Sequence, residues 1–229
     1  PVDVARDPEL LRRLLPVLDR MLTYFDPVVE GFERVPEDGP FMVVGNHSGG
    51  VYMPDFWAFL SEWIRRRGPE APIVPVGYDF VFSLPGLGGL ARRLGVVPAS
   101  QKRASELLEA GHPILVYPGG DSEVYRPWTE RYRVDLHGHA VPVVPLVAHG
   151  SHDALIVLTR GATLARWLGI DRLRVNVMPI VAGPPWGIAP ALLPTWPLPT
   201  KVTARVFEPL DWSHLGPEAA DDPEQVRCC

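Results

Sequence analysis

FMVVGNHSGGVYMPD, Phe41 to Asp55, is the stretch on which the fold turns. Its first four residues, Phe41-Met42-Val43-Val44, are an apolar run that reads as a buried strand. The run stops at Gly45, an Asn46-His47 pair, Ser48 and the two glycines Gly49 and Gly50. Beyond the turn, Pro54-Asp55 opens a segment to Arg67 with helical spacing of Phe, Leu, Trp and Ile. A strand, a glycine turn and a helix in that order are the repeating unit of an α/β sheet.

A second stretch has the same design. Ile114 to Tyr117 reads as a strand, followed by Pro118-Gly119-Gly120-Asp121-Ser122-Glu123 and by Arg126-Pro127. Parallel pairing of the two strands would put both turns at the carboxyl edge of one sheet, where α/β proteins build ligand sites. Further strands are expected at Val28–Val35, Ile73–Val76, Val141–Ala148, Leu155–Leu158, Val175–Ile180 and Lys201–Phe207. Helices are expected at Pro54–Arg67, Leu87–Leu94, Ser100–Ala110 and Ala162–Leu168. Ser100 supplies an N-cap and Gly111 a stop. The alternation predicts a single α/β domain over residues 27–229, with a mixed, mostly parallel sheet flanked by helices.

Residues 1–26 are expected to add an N-terminal amphipathic helix. From Asp7 to Tyr24, Leu10, Leu11, Leu14, Leu15, Leu18, Met21 and Leu22 recur at helical steps, opposite Arg12, Arg13, Asp19 and Arg20. Asp7 with Pro8 is an N-cap signal, and Pro16 predicts a kink. The Leu stripe either packs on the domain or lies in a membrane interface. A proline-rich apolar tract from Gly183 to Pro199, with Trp186 and Trp196, can be neither a regular helix nor a central strand. It reads as a coil over the core or a lipid-contacting loop.

Composition narrows the function. The 229 residues are 46% hydrophobic and 21% charged, enough for one large core. A net charge of −5 gives a nucleic-acid partner no bulk electrostatic support. The basic clusters Arg65-Arg66-Arg67, Arg92-Arg93 and Lys102-Arg103 are either solvated helix faces or patches for phosphates and anionic headgroups. The two cysteines, Cys228 and Cys229, are adjacent and form no disulfide framework. No 18-residue apolar window predicts a transmembrane helix, and no signal-peptide pattern is visible.

Pro85-Gly86-Leu87-Gly88-Gly89-Leu90 lacks the G-x-G-x-x-G spacing, so no nucleotide cofactor is expected. G-x-S-x-G is absent, so a nucleophile-elbow serine hydrolase is not expected. His137, His139, His149, His152 and Asp153 lie close in sequence without a metal-binding pattern, and no metal is expected. That leaves His47. A histidine can take a proton from an alcohol, and a nearby carboxylate stabilises the imidazolium that forms. Gly49 and Gly50 allow a developing oxyanion to approach backbone N–H groups. Arg126 offers a forked donor for a phosphate. Such a set needs no covalent nucleophile and points to direct transfer from a bound donor.

Taken in order, four blocks resemble the glycerolipid acyltransferase superfamily, the PlsC-like or lysophosphatidate (1-acylglycerol-3-phosphate) acyltransferases. They are Asn46-His47…Asp55, Leu94-Gly95-Val96-Val97-Pro98-Ala99-Ser100, Tyr117-Pro118-Gly119-Gly120 and Val141-Pro142-Val143-Val144-Pro145. The resemblance covers about Val28 to Pro209. It implies acyl transfer from acyl-CoA or an acyl-carrier protein to a hydroxyl of a lysophospholipid or other glycerolipid, at the cytoplasmic face of a membrane and with no cofactor. It makes His47 the general base and Asp55 its partner. Gly119, Gly120, Glu123 and Arg126, with Lys102 and Arg103 at a helix start, would hold the acceptor or its phosphate. Two departures stand out. Seven residues separate His47 from Asp55 where the family has four, so that Asp55, or else Asp121 or Glu123, orients the imidazole. The family's usual Glu-Gly-Thr-Arg is replaced by Pro118-Gly119-Gly120, as in the branch that includes diacylglycerol-type acyltransferases.

Overall fold

The structure, a computed structural model, describes residues 4–47, 49–118, 142–169, 177–191, 193 and 195–210. Its strands are β1 (Val28–Glu30), β2 (Met42–Gly45), β3 (Val74–Gly77), β4 (Val97–Pro98), β5 (Ile114–Val116), β6 (Val143–His149), β7 (Ile156–Thr159), β8 (Ile180–Gly183), β9 (Gly187–Pro190) and β10 (Thr203–Val206). Its helices are α1 (Pro8–Leu22), α2 (Pro54–Arg67), α3 (Asp79–Ser83), α4 (Leu87–Arg93), α5 (Gln101–Glu109) and α6 (Ala162–Trp167).

Seven strands form the main sheet in the order β1-β10-β6-β2-β5-β3-β4. β2 lies between β5 and β6 and runs parallel to both, with Val43 opposite Leu115 and Val144. β3 and β4 continue the parallel run. β10 is antiparallel to β6, and β1 is parallel to β10. The domain is therefore α/β with a mixed, mostly parallel sheet, as the alternation of patterns predicts. Every residue of β2 is buried, as expected of a central parallel strand covered on both faces.

The two faces have separate cores. Val43, Leu115, Val144 and Leu146 face α2, whose Phe56, Phe59, Leu60, Trp63 and Ile64 are buried against them. Met42, Val44, Ile114 and Val143 face the other way, toward Leu107 of α5. α2 starts at Pro54 and stops at Gly68, whose φ of +88° no ordinary residue favours. Arg65, Arg66 and Arg67 in its last turn complement the helix dipole. They are tied down within the protein. Arg66 pairs with Glu62 at 2.6 Å, Arg65 with Asp19, and Arg67 donates to the carbonyls of Pro36 and Val35 while stacking on Trp63. Arg93 likewise pairs with Asp7 at 2.7 Å, and Arg92 lies over the Phe82 ring. These two clusters serve as helix-end braces.

α1 is capped as its sequence predicts, with Asp7 Oδ1 accepting from the Leu10 N–H at 3.0 Å. It runs as one helix with Pro16 inside it. Leu11 is 1% exposed in the α2-side core, and Leu10, Leu14 and Leu15 pack around it. The Leu stripe thus serves the domain's own core. The exposed apolar residues of this region are Val17, Met21 and Tyr24.

Two strand expectations are corrected. The expected strand Val28–Val35 ends at Glu30, because Gly31 takes φ +74° and leads into the 3-10 turn Phe32–Arg34. A side chain at Gly31 would meet the Val206 carbonyl at 2.4 Å. Of the expected strand Val175–Ile180, residues 175 and 176 lie outside the described residues, 177–179 are not strand, and β8 begins at Ile180, directly after Pro179, which has no N–H for a ladder. β7, β8 and β9 form a separate antiparallel sheet. β9 lies within the proline-rich tract and at that sheet's edge, where Pro190 is tolerated.

Candidate active site

Three adjacent strands, β6, β2 and β5, end at the same edge of the sheet. Each delivers a polar side chain just past its last residue. β2 delivers Asn46 and His47, β5 delivers Tyr117, and β6 is followed by Ser151 and His152 in the 3-10 turn Ser151–Ala154. α2 brings Asp55 to this edge in its first turn, where the helix dipole favours a carboxylate.

Asn46 fixes where the chain turns. It is buried, its Nδ2 donates to the Ala148 carbonyl at 3.0 Å, and its Oδ1 accepts from the Ala148 N–H at 2.6 Å. The amide side chain thereby replaces one residue's worth of ladder on β6, beyond the end of β2. His47 follows with no freedom in its register.

The residues between His47 and Asp55 form a compact turn. Gly49 and Gly50 have φ of +81° and +61°, Gly50–Tyr52 is a 3-10 turn, and Met53 is left-handed at φ 42°. A Cβ at Gly49 would sit 2.7 Å from Pro54 Cδ and 3.0 Å from the Ser151 carbonyl oxygen. The longer spacing is thus absorbed by the glycine turn, and Asp55 still enters in the first turn of α2. The Tyr52 hydroxyl donates to the Thr195 carbonyl, which ties this turn to the proline-rich tract.

The electrostatics follow from burial. The His47 ring is only part-exposed and its Nδ1 is sealed from solvent, without a hydrogen-bond partner among the described residues. Desolvation, and then the like charge of His152, push its pKa down from 6.5 to about 4. It is therefore a neutral imidazole at ordinary pH. The Asp55 side chain is 0% exposed. Tyr117 packs with its ring centroid 4.9 Å from that of His47 and 6.0 Å from that of Phe56. Burial first, and then the Asp55 charge, hold the Tyr117 hydroxyl well above its ordinary pKa.

The structure thus brings together His47, Asp55, Gly49 and Gly50 among the residues singled out in the sequence. Beside them it places Asn46 and Tyr117, named in the sequence only as members of two blocks, and His152, named there only in a cluster without a metal-binding pattern. Gly119, Gly120, Glu123 and Arg126, with Asp121, lie outside the described residues, as do His137 and His139. Lys102 and Arg103 sit at the start of α5, after β4, three strands away from β2. At the usual strand spacing that is about 14 Å from β2 along the edge. Lys102 is 87% exposed and reaches toward Glu106 at 3.9 Å, while the Arg103 N–H is capped by Ser100 Oγ at 3.1 Å. Tyr117 and His152 both stand beyond an apolar strand on the edge that carries His47, Tyr117 directly after β5 and His152 three residues after β6.

Comparison with known proteins defines the class. The Acyltransferase family matches residues 26–148, more than half of the sequence, and this chain belongs to it. An uncharacterized protein of Mycobacterium tuberculosis is 29% identical over 212 residues, covering 88% of this chain and 56% of that protein. A human "DGAT1/2-independent enzyme synthesizing storage lipids" is 27% identical over 188 residues, covering 77% of this chain and 56% of that protein. The chain spans about half the length of the curated relatives it matches. Among solved structures, the 1-acyl-sn-glycerophosphate acyltransferase PlsC of Thermotoga maritima is similar at a TM-score of 0.49 and 21% identity, over 94% of this chain and 76% of that one.

Proposed function

We propose that the chain transfers a fatty acyl group from an acyl thioester, acyl-CoA or acyl-carrier protein, to a hydroxyl of a glycerolipid. The observation that carries this reading is a neutral His47 held at the carboxyl edge of an acyltransferase-family sheet, with the buried Asp55 carboxylate at the same edge. His47 Nε2 takes the proton of the acceptor hydroxyl as its oxygen attacks the thioester carbonyl. The tetrahedral oxyanion forms over the Gly49-Gly50 turn, whose backbone can approach it closely. Collapse expels the thiolate, which takes the proton from His47, leaving an ester and a free thiol. The Asp55 charge stabilises the transient imidazolium.

The family resemblance makes lysophosphatidate the first acceptor to test, with Gly119, Gly120, Glu123, Arg126, Lys102 and Arg103 as candidates to hold it. A neutral, diacylglycerol-type acceptor is the second reading. It is favoured by Pro118-Gly119-Gly120 in place of Glu-Gly-Thr-Arg and by the solvent-directed Lys102. Thiol release is measured on wild type and His47→Ala, with acyl-CoA alone, with lysophosphatidate and with diacylglycerol. Release that requires one acceptor and vanishes in His47→Ala is the expected outcome and names that acceptor. Release indifferent to any acceptor would replace transfer by thioester hydrolysis.

No helix among the described residues is long and apolar enough to cross a membrane. Lipid contact is proposed at the exposed Val17, Met21 and Tyr24 and at Trp196, whose chain neighbour Pro197 accepts from the Tyr24 hydroxyl at 2.8 Å. Val17→Glu combined with Trp196→Glu is expected to abolish flotation with anionic vesicles. Unchanged flotation would put the contact elsewhere.

A further inference from the structure

Tyr117 carries a polar atom that the reaction above does not use. Its ring is fixed on three sides. Beneath it is Gly45, where a Cβ would sit 2.4 Å from Cε1 and 2.9 Å from Cζ. Phe56 of α2 meets it edge-on, with ring planes at 64°. The His47 ring lies beside it, tilted by 43° with centroids 4.9 Å apart. The hydroxyl at the end of this ring is shut off from solvent and has no hydrogen-bond partner among the described residues. His47 Nδ1 is in the same condition.

A sealed polar atom without a partner is costly, and two on neighbouring rings call for one explanation. The two atoms are complementary. When Nε2 acts as the base, the proton of the neutral imidazole resides on Nδ1, which then needs an acceptor. A phenol oxygen can accept that N–H and still donate its own hydrogen onward. The group whose charge reaches the Tyr117 hydroxyl is Asp55.

We propose that Tyr117 is a positioning residue that links the base to its carboxylate: with the substrates bound, His47 Nδ1–H donates to Tyr117 Oη and Oη–H donates to Asp55, two hydrogen bonds that tighten only in that complex and that the structure itself does not make. The inference rests on the reading of His47 as general base and explains how a carboxylate three residues further along than in the family still serves it. No proton is transferred along the link. His47 gains the acceptor's proton at Nε2 and returns it to the thiolate, while Tyr117 stays protonated throughout, as its raised pKa requires.

The test compares Tyr117→Phe, which keeps the ring over Gly45, with wild type and His47→Ala. Tyr117→Phe is expected to lower kcat roughly 10- to 100-fold, the scale on which hydrogen bonds that orient a functional histidine act. KM for both substrates should hold. The acid limb of its kcat–pH profile should move to lower pH, because an imidazolium deprived of an acceptor at Nδ1 forms less readily. A fall in kcat with an unmoved limb would assign Tyr117 to packing alone and overturn the link. Wild-type kcat in Tyr117→Phe beside an inactive His47→Ala would overturn the link and leave the base standing. An active His47→Ala would remove both. Where turnover is too slow to profile, the His47 imidazole is titrated by NMR: a lower pKa in Tyr117→Phe supports the link, and an equal or higher one refutes it.

Discussion

Asn46→Ala tests whether the turn that carries His47 is held by the side chain before it. The substitution removes both hydrogen bonds to Ala148, at 3.0 Å and 2.6 Å. Ala148 is itself buried at 9% exposure, so water cannot fully replace them. Two buried backbone groups left without partners cost about 1–3 kcal/mol each, and partial relaxation of the turn recovers some of that. The expected loss is about 2–4 kcal/mol of folding stability. For a chain of this size it corresponds to a fall in Tm of about 5–15 °C. Urea unfolding followed by tryptophan fluorescence measures the loss, and a parallel thiol-release assay reads its effect on His47. Asn46→Asp separates shape from hydrogen bonding. The carboxylate still accepts from the Ala148 N–H but sets a second oxygen against the Ala148 carbonyl, and so should be no more stable than Asn46→Ala. If Asn46→Ala loses less than about 1 kcal/mol, the clamp is not what fixes the turn and the reasoning fails.

Two further outcomes are expected. His152→Gln removes a like charge from the surroundings of His47, so the His47 pKa rises above about 4 and the acid limb of kcat/KM moves to higher pH; a limb that stays put or moves down would show that His152 does not act on the base. Leu11→Ala, at a 1% exposed core position on α1, should cost about 2–5 kcal/mol in chemical denaturation. Val17→Ala, at 62% exposure on the same helix, should change stability by about 0.5 kcal/mol or less. Equal effects at the two positions would mean that α1 is not docked as described.

Local signals made most of the elements legible. α2 spans Pro54–Arg67 as read, and α1 and α5 are capped by Asp7 and Ser100 as read. These boundaries depend on hydrogen bonds within three or four residues, so a local pattern suffices. The parallel pairing of β2 with β5 could be expected from two buried runs followed by glycine turns. What the sequence concealed depends on distant partners. The Leu stripe of α1 is compatible with a membrane or a core, and only the packing on α2 decides for the core. Arg65, Arg66 and Arg67 look like a free basic patch until the carbonyls of Val35 and Pro36 and the Glu62 and Asp19 carboxylates are placed beside them. The part played by His152 at the site was hidden for the same reason. Its approach to His47 is set by the β2–β6 register across about a hundred residues, which no spacing rule encodes.

The same register accounts for a neutral imidazole at His47. Burial of an imidazole beside a second histidine favours the uncharged form, and Asp55, which would favour the charged one, acts on Tyr117. A histidine paired directly with a carboxylate would be pulled toward protonation before any substrate arrived. Here the uncharged state is set by the fold, through β6 supplying His152 on one side and β5 supplying Tyr117 on the other. In the proposed mechanism, the carboxylate's influence is then needed only when His47 has taken a proton. An insertion between His47 and Asp55 is tolerable under the proposed link through Tyr117, because that connection depends on which strands are neighbours and not on how many residues the glycine turn contains.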